Sequence, residues 1–213
     1  MSKRNSTAYE ALDKLVLVSG HGVYVGRGEK DSLNPSYWIT AFPEDVKLFV
    51  EHAHAGVMLA SEMRDAALVF AGGQTKKQMP LSEAQSYWSL EDQNKWLGNK
   101  DVKEKAITED YSLDGFQNLQ FGIYRFHQWT GRFPKAIYFC GFGFKEKRYK
   151  MHAKAIGWDL DAFRYVPVND PAGDPNDPNT PLGRAVGGEK ETRELFMKYP
   201  LGDGGKLLEK RIE

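Results

Sequence analysis

Apolar residues bunch into short unbroken runs along this chain, and glycine-bearing polar turns follow them. Leu15-Val16-Leu17-Val18 ends in Ser19-Gly20, Ala66-Ala67-Leu68-Val69-Phe70-Ala71 in Gly72-Gly73, and Ala136-Ile137-Tyr138-Phe139-Cys140 at Gly141. Runs without polar alternation suit strands covered on both faces, as in a parallel sheet. Phe163-Arg164-Tyr165-Val166-Pro167-Val168 reads as a fourth strand, placed toward an edge by its arginine and proline.

Between these runs the apolar spacing becomes three and four residues. Val46, Phe49, Val50, Ala53 and Val57 follow Pro43, which suits a first helical turn, while Glu44 and Asp45 suit the positive end of the helix dipole. Ser82-Glu83 opens a second helix carrying Ala84, Tyr87 and Trp88. A third covers about 111–130, with Phe116, Leu119, Ile123 and Phe126 as its stripe and Gly131 as its stop; a fourth covers about 145–156 and stops at Gly157. Residues 189–198 and 205–211 read as short terminal helices. This rhythm predicts an α/β fold, a three-layer domain with a mainly parallel sheet, as a single domain over residues 1–213. Asp, Pro and Asn crowd residues 169–180, and a long surface loop is expected over 169–188, either a lid or a plain ordered connection.

Composition narrows the function classes. At 41% hydrophobic residues the chain can bury a core. Its 29 basic and 29 acidic residues balance, so neither nucleic acid nor an anionic membrane is an expected partner. Residues 1–11 lack the apolar stretch of a signal peptide, and no run approaches the roughly 18 apolar residues of a membrane span, so a soluble cytoplasmic protein is expected. Cys140 is the only cysteine, which excludes an intrachain disulfide and a cysteine-based metal site; within its apolar run it reads as a small buried side chain. No histidine pair has zinc spacing, since His52 and His54 sit two apart on a helix and point to different faces. His127 and His152 likewise read as surface or packing residues, and no metal or cofactor is assigned.

Open parallel sheets bind ligands beyond the carboxyl ends of their strands. The first such turn is Gly20-His21-Gly22, where glycine lets the backbone approach a ligand and His21 is a candidate acid, base or donor; a ring that only satisfies local backbone is the plainer alternative. A dinucleotide fingerprint needs glycine at position 25, which is valine, and Pro35 and Pro43 delay the helix, so a nicotinamide site is rejected. The second turn is Gly72-Gly73-Gln74-Thr75 followed by Ser82-Glu83, in which Ser82 and Glu83 are either ligand contacts or ordinary helix-capping residues. Exposed N–H groups at such turns and helix starts favour anions. The third cluster, from Glu109 to Asn118, places Asp114 and Asn118 on one helix face, with Ser112 or Asp110 as the expected cap; its carboxylates could alternatively hold a magnesium-type cation or simply face solvent. The fourth puts Lys145, Lys147 and Arg148 at a helix start, the wrong end of the dipole for cations. An anionic ligand, or salt bridges to Glu109, Asp110 or Asp114, would explain them.

In this order the four clusters resemble the YdcF/SanA/ElyC-like family, a domain of unknown function. The resemblance rests on Ala71-Gly72-Gly73, Ser82-Glu83-Ala84, the segment from Glu109 to Asn118, and Phe144 with Arg148, and it spans about residues 12–211. Ser19-Gly20-His21-Gly22, Gly73-Gln74-Thr75 and Ser112-Leu113-Asp114-Gly115-Phe116-Gln117-Asn118 look most like its soluble eukaryotic, largely fungal branch. Bacterial members carry Asn-Thr-x-Glu-Asn where this chain has residues 114–118, and histidine at Lys145, so chemistry resting on those residues does not carry over. The resemblance implies a Rossmann-like sheet, a pocket built from these motifs, and S-adenosylmethionine as a candidate ligand.

The expectation is therefore a small-molecule site for an anionic or nucleotide-like ligand. It is assembled from Gly20, His21, Gly22, Gly72, Gly73, Gln74, Thr75, Ser82, Glu83, Glu109, Asp114, Asn118, Lys145 and Arg148, with His21 and Asp114 as catalytic candidates for hydrolysis or group transfer. A non-catalytic sensing or interaction module is the alternative. A nicotinamide-dependent oxidoreductase ranks below both, because fold alone suggests it.

Overall fold

The computed structural model describes residue 9 and residues 11–212. Most of the segment 1–11, read above as lacking a signal peptide, lies outside the described residues. Five strands form one parallel sheet: β1 (Lys14–Ser19), β4 (Ala66–Ala71), β5 (Ala106–Glu109), β6 (Ala136–Phe142) and β7 (Phe163–Asn169), in the order β5-β4-β1-β6-β7. β2 (Val23–Tyr24) and β3 (Trp38–Ile39) make a separate antiparallel pair between β1 and the first helix. All four expected strands are present, and β7 is an edge strand as its Arg164 and Pro167 suggested. β5, the opposite edge, is too short and mixed (Ala-Ile-Thr-Glu) to stand out by periodicity.

The longer helices are α1 (Val46–Glu62), α2 (Glu83–Gln93), the single turn α3 (Lys100–Lys103), α4 (Gly115–Thr130), α5 (Glu146–Ala155), α6 (Pro181–Lys198) and α7 (Gly205–Ile212). Successive residues of a strand face opposite ways, and β1 divides accordingly. Val16 and Val18 pack with Phe49, Val50 and Val57 of α1 and Ala84 and Tyr87 of α2. Leu15 and Leu17 pack with Leu119, Ile123 and Phe126 of α4 and Tyr149 and Ala153 of α5. The result is three layers, helix, sheet and helix, with both faces of β1 sealed. Among the described residues no helix is long and apolar enough to cross a membrane.

The expected loop over 169–188 is shorter than its composition implied. Helix α6 begins at Pro181, whose missing N–H costs nothing at a first turn. Thr180 caps it by accepting from Gly183 N–H at 3.0 Å, while its hydroxyl is 2.8 Å from the Asp174 carbonyl and 2.9 Å from that of Asp177. The helix start thus falls inside the span expected to be loop, directly after the Asp-, Pro- and Asn-rich residues 169–180. Ser112 and Asp110 are likewise not the cap of α4: Asp114 is, accepting from Gln117 N–H at 2.9 Å.

Leu17 is fully buried at the centre of the sheet. Leu17→Ala should cost roughly 2–5 kcal/mol in urea unfolding, through lost transfer energy and the cavity left behind. A loss below about 1 kcal/mol would mean that β1 does not hold the middle of the core.

Candidate functional site

Counted along the sheet, the strand order reverses at β1, which lies between β4 and β6. A crevice opens beyond the carboxyl ends of the strands at such a switch point. Here it is a cleft of about 1010 Å³, walled by the turns after β1, β4, β5 and β6 and roofed by α6 and α7. Of the residues expected in the site, Gly20, His21, Thr75, Glu83, Asp114, Asn118, Lys145 and Arg148 line it. Gly22, Gly72, Gly73, Gln74, Ser82 and Glu109 do not.

The physical reasons differ. The amide groups expected to greet an anion are already used inside the protein. Gly20 N–H donates to Ala71 at 2.8 Å, Gly72 N–H to Glu109 at 3.1 Å and Gly73 N–H to Ser112 at 2.8 Å. Gly72 is instead required sterically, by a φ of +155° and by the Glu83 side chain packed against it. Ser82 is the reciprocal cap of α2 with Gln85, and its hydroxyl donates to Asp110 at 2.6 Å. Gln74 is exposed outside the cleft, Gly22 is buried against Thr40 at the hairpin, and Glu109 accepts from Tyr111 N–H at 2.7 Å beside a separate surface depression.

Two residues inside the cleft have partners that the sequence did not reveal. Arg148 pairs with Glu189 of α6, Nε to Oε1 at 2.8 Å and to Oε2 at 2.9 Å, with both side chains more than nine-tenths buried. The salt bridges expected for Arg148, to Glu109, Asp110 or Asp114, are not formed. Gly115 makes room for this guanidinium, since a Cβ there would lie 2.5 Å from Arg148 Nη1. Asp114 accepts from Arg211 Nε of α7 at 2.7 Å, in addition to capping α4. One of its oxygens thus caps α4 and the other ties α4 to α7 at the edge of the cleft. Glu189 and Arg211 are the functional-region residues that local patterns could not supply, because each pair joins segments far apart in the chain.

Lys145 is different. Its Nζ lies 5.0 Å from the Phe142 ring centre and 5.6 Å from that of Phe144, with no ion pair among the described residues. Burial, and then the neighbouring Arg148 charge, push its ammonium down to about 7. Lys76, Lys206 and Lys210 also line the cleft without an ion pair among the described residues. Against these lysines and Arg184, Asp114 and Glu189 are neutralised by arginines, Glu83 accepts from Thr75 Oγ1 at 2.7 Å while burial raises its pKa, and Glu44 is the one lining carboxylate left among the described residues. Positive charge therefore dominates the cleft although the whole chain is neutral.

His21 forms part of an aromatic wall. Its ring stacks on Phe142 at 4.9 Å, lies 5.5 Å from Phe49, and is 5.3 Å from His52 with the two ring planes inclined at 74°. Burial first, then Lys145, His52 and Arg148, hold its pKa well below the usual histidine value, so the ring is neutral at pH 7. His52, read above as a surface or packing residue, is fully buried beside it. Cys140 is fully buried with its thiol pushed up to about 12, which fits a packing role. Among the described residues no group of three or more His, Cys, Asp and Glu side chains could hold a metal ion.

The buried Arg148–Glu189 pair predicts a specific stability pattern. Glu189→Ala leaves a guanidinium uncompensated and should cost about 3–5 kcal/mol in denaturant unfolding, whereas the double replacement Arg148→Met with Glu189→Leu should recover most of it. Equal losses in the single and double variants would show that packing of α6, not the charge pair, dominates.

No family model matches the chain, and no solved structure matches it significantly. A curated protein of Saccharomyces cerevisiae, described as Uncharacterized protein YOR238W, is similar: 30% identical over 203 residues, covering 73% of this chain and 67% of that protein.

Proposed function

We propose that this chain, which belongs to the family of that yeast protein, binds a small anionic or nucleotide-like molecule in the switch-point cleft, with Lys145 as the principal charge contact. The observation that carries this reading is the Lys145 amine, set beside the stacked Phe142 and Phe144 rings without an ion pair among the described residues, in a cleft where Asp114 and Glu189 are paired with arginines and Glu83 is pushed toward protonation. A volume near 1010 Å³ is at the upper end of small-molecule sites and suits a nucleotide-sized ligand. Phe42 and Phe144, which line the cleft and are less buried than Phe142, provide aromatic surface for a planar group. S-adenosylmethionine is one candidate, on the strength of the sequence resemblance to the YdcF/SanA/ElyC-like family, which we carry forward as part of the proposal.

Turnover by hydrolysis or group transfer would have to begin at His21, because Asp114 and Arg148 are committed to internal ion pairs. That commitment favours a second reading, a ligand-sensing module without turnover. The two readings share the cleft and differ in whether a bound ligand is consumed.

Calorimetric titration with AMP, ADP, pyrophosphate and S-adenosylmethionine tests the common claim. At least one anion should bind, and Lys145→Met should weaken it by about tenfold or more, as expected for a hydrogen bond to a charged group. Because the free Lys145 titrates near 7 and the charged form is the one that binds, affinity should be greatest below pH 7. It should then fall as pH rises through the higher pKa of the complex. Equal affinity in Lys145→Met, or none for any anion, would overturn the reading.

A further inference from the structure

Two buried imidazole nitrogens beside the cleft lack partners among the described residues: Nε2 of His21 and Nδ1 of His52. Their rings have centres 5.3 Å apart, the separation of two imidazoles sharing one N–H···N bond of about 3 Å. The tautomer of His52 follows from its other nitrogen. Asn169 Nδ2 donates to the Leu48 carbonyl at 3.2 Å and to Glu51 Oε2 at 2.8 Å, both of which are acceptors only. Its amide is therefore fixed with Oδ1 toward His52 Nε2, 2.8 Å away, and that nitrogen must carry the proton. His52 Nδ1 is left with a bare lone pair inside an apolar wall, a costly arrangement unless a donor reaches it.

We propose that His21 is that donor: His21 Nε2–H bonds to His52 Nδ1, so His21 turns an unprotonated Nδ1 to the cleft, with His52 and Asn169 as positioning residues. Closing this one bond gives both orphaned nitrogens a partner. The run Glu51, Asn169, His52, His21 then has a single polarity, each member fixing the hydrogen of the next. Both rings are neutral near pH 7, His52 being held at about 3 by burial and His21 by burial and the Lys145 and Arg148 charges. His21 Nδ1 is thus a ready proton acceptor. The molecule that suits it brings an O–H or N–H alongside the anionic group at Lys145, which deepens the functional reading above and rests on it for the identity of the site.

The polarity itself is testable in the free protein by long-range nitrogen–proton spectroscopy on histidine-labelled chain. His21 and His52 should both appear as the Nε2–H tautomer at pH 7, with Nδ1 of each unprotonated. In His52→Phe, His21 should lose its single tautomer and gain Nδ1–H population. Asn169→Leu, at a partly exposed position, should release the tautomers of both rings if the first variant does not fold. A wild-type His21 that is mainly Nδ1–H, or a His21 signal unchanged in the folded variants, would overturn the proposal. Because no ligand is present, failure of anion binding at Lys145 would leave this result standing, and the converse holds equally.

Discussion

The parallel pairing of β1 with β4 on one side and β6 on the other is the constraint on which the rest depends. Parallel register sends the carboxyl ends of five strands to one edge, and the reversal of strand order at β1 leaves a gap between the turns that follow. Both faces of the strand must then be buried, which is why its residues are apolar without alternation. The cleft is a consequence of this topology before any particular side chain is considered.

Charge finishes what topology begins. Two arginines are consumed in holding α6 and α7 over the cleft, Arg148 through Glu189 and Arg211 through Asp114. Each ion pair removes a carboxylate from the cleft's free charge, so the lysines that remain set its sign. Desolvation keeps Lys145 near its titration point, since a buried ammonium loses hydration that the phenylalanine rings only partly replace. The same burial keeps His21 and His52 neutral. The cleft therefore places a weakly held cation beside uncharged imidazoles, an arrangement suited to receiving an anion.

Much of the fold was legible because it follows local rules. The runs at Leu15, Ala66, Ala136 and Phe163, the cap at Ser82 and the stops at Gly131 and Gly157 each carry their meaning within a few residues. The location of the cleft was legible too, since strand ends announce it. What could not be read was which polar groups remain available. The glycine amides are spent on neighbouring strands and turns, and Asp114 and Arg148 are spent on α6 and α7. Those pairings span tens of residues and leave no periodic trace. His52 shows the same limit from the other side: its helical position marks it as packing, and only tertiary contact puts it behind His21. The first turns of α6 were read as loop because they follow the Asp-, Pro- and Asn-rich residues 169–180 directly and carry few apolar side chains.

The most direct test of the account is a crystal structure of the protein soaked with AMP. Its phosphate should lie in the cleft beyond the ends of β1 and β6, within hydrogen-bonding distance of Lys145 Nζ, with the Arg148–Glu189 pair intact. A phosphate held instead by the backbone amides after β4, or by Arg148 with Glu189 displaced, would contradict it.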